Sequence, residues 1–73
     1  MTKLGEYLGA KSVNKSEIAR KTGLSKARLN RLTLNRSAHL RASELYLIAL
    51  AIGVNPCDML ESIFGELKKK VKS

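Results

Sequence analysis

Apolar residues recur three and four apart along most of this chain, the spacing that lines one face of an α-helix. Leu4, Tyr7 and Leu8 open the series and predict a first helix from about Thr2 to Lys11. Gly5 and Gly9 lie inside it, each costing roughly 1 kcal/mol relative to alanine within a helix. Val13 seals the junction to a second helix, in which Ile18 and Ala19 point inward and Arg20 and Lys21 outward. Asn14 can cap its first turn and Glu17 can reach back, so Asn14-Lys15-Ser16-Glu17 reads as a capping box and the helix begins at Lys15. Gly23 supplies the positive φ that ends it after about two turns. Ser25 caps a third helix, whose buried stripe is Leu29 and Leu32 and whose other face carries Lys26, Ala27, Arg28, Asn30 and Arg31.

From Asn35 to Arg41 the chain has no periodicity and reads as a loop. A fourth helix starts between Arg41 and Glu44, with Ser43 or Arg41 near its cap. It turns Leu45, Ile48, Ala49 and Ile52 inward, and its unbroken apolar run predicts near-complete burial. Gly53 ends it. In Asn55-Pro56-Cys57-Asp58, Asn55 caps a fifth helix, Pro56 suits its first position and Asp58 complements its dipole. Leu60, Ile63, Phe64, Leu67 and Val71 continue at helical spacing into the lysine-rich end Lys68-Lys69-Lys70-Val71-Lys72.

The second and third helices carry a recognisable spacing. A small residue at Ala19 lets the third helix cross closely, Gly23 makes the turn, Leu24 plugs the corner, and Leu29 and Leu32 pin the third helix down. This is the helix-turn-helix layout, which leaves its second member free to enter a major groove. On these residues the chain resembles the lambda-repressor and Cro type of helix-turn-helix regulators, the XRE family. Ile18, Ala19, Gly23, Leu24, Leu29 and Leu32 match that motif. Ser43-Glu44-Leu45 and the run from Ile48 to Val54 resemble the family's fourth helix and the turn after it, so the likeness covers roughly Leu4 to Leu60.

The resemblance implies an all-α, five-helix, lambda-repressor-like DNA-binding domain over residues 1–73, with its motif at about 15–34. It also shows three departures. Leu8 and Thr33 stand where the family often pairs an arginine with a glutamate, which implies an apolar contact in place of an ion pair. Asn35 replaces a glycine after the third helix and, next to glycine, best tolerates the left-handed conformation. Lys15 replaces the glutamine usual at the start of the second helix, which changes how a phosphate would be held.

Charge sharpens the picture. The net charge is +8 over 73 residues. Eight basic residues between Asn14 and Arg41 face only Glu17, so this segment carries +7 and the rest of the chain +1. Such concentration is the footprint of a polyanion-binding surface. A chain this short buries about 60% of its unfolded surface, so its stability margin is modest and dimerisation would help. One cysteine cannot staple the fold and fits a reducing compartment. With no apolar run near 18 residues and no signal-like N-terminus, a cytoplasmic, nucleoid-associated protein is expected.

Catalytic chemistry finds no support: one histidine, one cysteine, no phosphate-cradling glycine loop and no metal-ligand spacing, hence no enzyme, metal, cofactor or small-molecule effector. His39 reads as a solvated loop histidine and Cys57 as a small packed thiol. The expected function is sequence-specific binding of double-stranded DNA by a small repressor-like transcriptional regulator. By the resemblance, Lys26, Ala27 and Arg31 take the places that face base edges, flanked by Arg28 and Asn30. Lys15, Ser25, Asn35, Arg36 and Arg41 are expected at phosphates. Phe64, Leu67 and Val71 are expected to form a homodimer interface, on the reading that four helices suffice to cover the core. The alternative is an antitoxin-like or adaptor module whose apolar fifth helix binds another protein.

Overall fold

Leu29, Ile48 and Met59 have no exposed surface and meet at the centre of the computed structural model, which describes residues 1–71. They come from three different helices of an all-helical chain. The elements are α1 (Lys3–Ala10), α2 (Lys15–Thr22), α3 (Lys26–Leu34), α4 (Ala42–Ile52) and α5 (Pro56–Phe64), followed by a short 3₁₀ helix, Gly65–Lys70. α1 packs on α3 and α5, α2 on α3 and α4, and α4 on α5. The all-α, five-helix expectation therefore holds.

Local chemistry sets most of the boundaries. The Thr2 hydroxyl oxygen accepts the Gly5 N–H at 3.0 Å and donates its own proton to the Leu32 carbonyl at 2.7 Å, so the α1 cap is also a tie to the end of α3. Asn14 Oδ1 accepts from the Ser16 and Glu17 N–H groups at 2.8 and 3.4 Å. The Glu17 carboxylate turns to Arg20 at 2.7 Å instead of reaching back, so only the asparagine half of the box forms. Gly23 and Gly53 end α2 and α4 at φ 80° and 75°, where a side chain would be strained. Between α1 and α2 the left-handed position is taken by Ser12, at φ 55°.

Four expectations fail in instructive ways. Asn35 is extended, at φ −105° and ψ 113°, and not left-handed. Its side chain makes the turn by accepting from the Ser37 N–H and hydroxyl at 2.9 and 2.6 Å, an Asx turn. α4 is not fully buried: Leu45, Ile48 and Ala49 face the core, but Tyr46 and Leu50 are 54% and 55% exposed and Leu47 is also open. In so small a bundle α2 and α5 cover only one side of α4, whatever its composition. Cys57 is exposed, because its place in the first turn of α5 faces away from Met59 and Ile63.

The fourth failure concerns α5. It stops at Phe64, and the backbone tightens into 3₁₀ winding from Gly65. Three residues per turn put Leu67 and Val71 out of phase with Ile63, so they leave the core side and stand exposed. Lys72 lies outside the described residues. The buried stripe is Met59 and Ile63, with Phe64 packed at the margin and Leu60 outside it. Four helices do not suffice for the core, since Met59 lies at its centre.

Candidate nucleic-acid interface

α3 buries Leu29, Leu32 and Thr33 and turns Ala27, Arg31 and Leu34 to the opposite side. Lys26 and Asn30 edge that outward face toward α2, and Arg28 edges it on the other side. The orientation follows from residue spacing: the buried positions cover less than half of the helix circumference, and the remainder carries most of the local charge. Ser25 fixes the first turn by accepting the Arg28 N–H on Oγ at 3.0 Å. Its hydroxyl proton points to no partner among the described residues. Lys26, Ala27, Asn30 and Arg31 are all exposed.

Lys15 holds α3 from the α2 side. Its ammonium donates to Thr33 Oγ1 at 2.9 Å and to Asn30 Oδ1 at 3.2 Å. The Thr33 hydroxyl donates in turn to the Leu29 carbonyl at 3.0 Å, one turn back. The position expected to make an apolar contact with α1 is therefore a buried polar node, supplied with a donor from α2. An ammonium has three N–H groups, so one remains for an outside acceptor.

Arg28 holds α3 from the other side. Nε donates to Glu44 Oε2 at 2.7 Å, and one terminal nitrogen donates to Glu44 Oε1 at 2.9 Å and to the His39 carbonyl at 2.8 Å. Glu44 also accepts the Arg41 N–H at 2.9 Å, which closes the first turn of α4. Its carboxyl is buried and held below the ordinary carboxylate range, chiefly by the Arg28 hydrogen bonds, with burial opposing and the Arg41 N–H assisting. The same pairing raises the Arg28 guanidinium. One side chain thus joins α3, the 35–41 loop and α4, with its Nε and one terminal nitrogen turned inward. Sequence spacing could not find this pair, whose members are sixteen residues apart.

The remaining candidates fall into two groups. Asn35, Arg36 and Arg41 are exposed on the loop after α3, with the Asn35 amide nitrogen directed to no partner within the described residues. His39 is exposed too, and its contribution is its backbone carbonyl. Phe64, Leu67 and Val71 lie apart from this surface, on α5 and the 3₁₀ turn: Phe64 half-buried, Leu67 45% exposed and Val71 76% exposed. No group of three or more histidine, cysteine, aspartate or glutamate side chains comes together for a metal among the described residues.

A two-helix unit with a left-handed glycine turn, braced on both flanks and presenting an exposed basic face, defines a helix-turn-helix DNA-binding domain. The chain belongs to the Cro/C1-type helix-turn-helix DNA-binding domain family, which it matches over residues 3–65. No curated protein and no solved structure matches it.

Proposed function

We propose that this chain is a sequence-specific transcriptional regulator that binds duplex DNA as a homodimer, with α3 in the major groove of each half-site. The observation that carries the reading is the outward face of α3, where Ala27 and Arg31 stand exposed, beside Lys26, on a helix braced by Lys15 and Arg28. Arg31 and Lys26 can donate to guanine O6 and N7, and Ala27 can pack on a thymine methyl. Arg28 is assigned to holding α3, since its Nε and one terminal nitrogen already meet Glu44 and His39. Phosphates would be met by the free N–H of Lys15, the Ser25 hydroxyl, the Asn35 amide, Arg36 and Arg41. Such a protein would work in the cytoplasm, on the nucleoid, without a cofactor or effector.

The test is selection of bound sites from random duplexes, followed by affinity against salt on the recovered site. Each phosphate neutralised contributes about −0.9 to the slope of log K against log salt, so two subunits should give a slope steeper than about −4. A two-fold symmetric motif is the expected product. A flat salt plot and no recovered motif overturn the proposal. If function then depends on Leu67 and not on Lys26 or Arg31, the adaptor reading takes its place.

A further inference from the structure

The segment after α5 is wound in a way its own residues do not favour. Gly65–Lys70 runs six residues as a 3₁₀ helix, longer than the roughly three or four that such winding usually lasts. Glu66, Leu67, Lys68, Lys69 and Lys70 are all good α-helix formers, and only Gly65 among the six disfavours the α form. The Gly65 N–H still bonds the Glu61 carbonyl in α fashion, with Gly65 itself at φ −57° and ψ −31°. The break falls at Phe64, at φ −116° and ψ 4°. Two ion pairs hold the segment as it is, Glu66 with Lys3 of α1 and Lys68 with Glu61 at 3.0 Å. Both are exposed, and such pairs contribute little. The 3₁₀ form is therefore weakly held.

The two windings diverge by about 20° per residue, roughly 120° against 100°. Continued as an α-helix, α5 would carry Leu60, Phe64, Leu67 and Val71 on one face at spacings of four, three and four, the seam of a helix pair. The 3₁₀ winding turns Leu67 about 60° off the line of Leu60 and Phe64 and carries Val71 further round. It leaves Leu60 46% exposed, facing no partner in the core. Rewound, the seam is about 16 Å long and has no charge on it. It is also self-complementary. A two-fold axis crossing between Phe64 and Leu67 sets Leu60 of one copy against Val71 of the other, and Phe64 against Leu67. The same axis brings Glu61, at one edge of the seam, near Lys68 at the matching edge of the other copy.

We propose that in the homodimer the segment Gly65–Lys70 rewinds from 3₁₀ to α-helix, extending α5 to about Val71, so that Leu60, Phe64, Leu67 and Val71 pack antiparallel on the same four residues of a second copy. The proposal rests on the homodimer reading. It adds that the complete interface exists in only one of two windings of the chain, and that Leu60 belongs to it.

The experiment follows the full chain by NMR from tens of micromolar to millimolar, free and with the selected operator duplex, beside sedimentation of the same samples. Contacts between residues four apart, Phe64 to Lys68 and Leu67 to Val71, should be absent in the monomer and appear with the dimer. At Gly65 an added Cβ would lie 3.4 Å from the flexible end of Glu61, so alanine fits there. Gly65→Ala should tighten the dimer by about tenfold, because the greater α-helix propensity of alanine acts in both chains. Leu60→Lys, outside the core, should give a chain that circular dichroism shows to be folded and sedimentation shows to be monomeric. A dimer that keeps the 3₁₀ contacts, that Gly65→Ala leaves unchanged, or that survives Leu60→Lys overturns the rewinding with the homodimer intact. Contacts of the α type already present in the free monomer overturn it too. A wild type that stays monomeric at hundreds of micromolar, free and on its operator, removes the homodimer and the rewinding together.

Discussion

Gly5 and Gly9 look alike in the sequence, one turn apart in a helix that glycine disfavours, yet their surroundings differ. A Cβ at Gly5 would overlap the backbone carbonyl oxygen of Thr33, which already accepts the Thr2 N–H at 2.9 Å, and would also crowd Met1. A Cβ at Gly9 would meet nothing within 4 Å. Alanine at either position gains roughly 1 kcal/mol of helix propensity. At Gly5 the obstacle is backbone, which cannot move without prising α1 from α3, and overpacking of that kind costs typically 1–3 kcal/mol. Gly9→Ala should therefore stabilise the protein and Gly5→Ala destabilise it, which urea denaturation of the two variants checks directly. Equal shifts of the same sign would mean that α1 does not approach α3 so closely. The positions readable from sequence were those whose partners lie within one turn: Asn14, Gly23, Ser25 and Asn55 cap or close helices as their residue types require. Gly5 and Thr33 were not, because what decides them is a backbone or an ammonium brought in from elsewhere in the chain.

The elements themselves were readable, since periodicity and caps are properties of a short window. Their rotation and length were less so. The apolar positions of α5 form a band wide enough to bury either Leu60 or Met59 with Ile63, and only the position of α4 selects Met59. The tie between elements that matters most to the interface was not visible: the sequence placed the start of α4 between Arg41 and Glu44, but nothing local announces Arg28 as the partner of Glu44. This tie has a pH signature. The Glu44 carboxyl is lowered in the folded state, so its contribution is fully present above the unfolded carboxylate value of about 4.5 and is lost as pH falls through the lower folded value. Arg28 stays charged throughout. Glu44→Gln should be less stable than wild type at pH 7 by about 1.5–3 kcal/mol, the range for hydrogen bonds to charged groups. The two should converge as the pH drops below 4.5 and Glu44 takes up its proton. Thermal melts at several pH values measure this difference, and taking it against wild type cancels the separate titration of Glu17. A gap that stays constant down to low pH would assign the loss to shape and not to charge.

At the scale of the whole molecule, the proposed homodimer requires a surface on which two copies can meet. Every protomer carries +8, so association brings together like charges, and an apolar patch must outweigh them. Two such patches are exposed: Tyr46, Leu47 and Leu50 on α4, and Leu67 with Val71 on the turn after α5. Phe64 is half-buried against the core and adds only its edge to the second. Our assignment of the dimer to the second patch predicts that Leu67→Lys with Val71→Lys gives a folded monomer with weakened operator binding, while Leu47→Lys with Leu50→Lys stays dimeric. A few side chains from each copy contribute a few kcal/mol at about 25 cal/mol per Å², so the dimer should form at micromolar concentration or above. Salt adds a second signature. Screening of the mutual repulsion, with a Debye length of about 10 Å at 0.1 M, should strengthen the dimer as salt rises, whereas binding to DNA should weaken over the same range. Sedimentation of wild type and both double variants, at low and high salt and without DNA, separates these effects. Dissociation by the α4 pair alone moves the interface to α4, and a wild type that remains monomeric at hundreds of micromolar, with operator or without it, leaves each third helix to bind its half-site by itself.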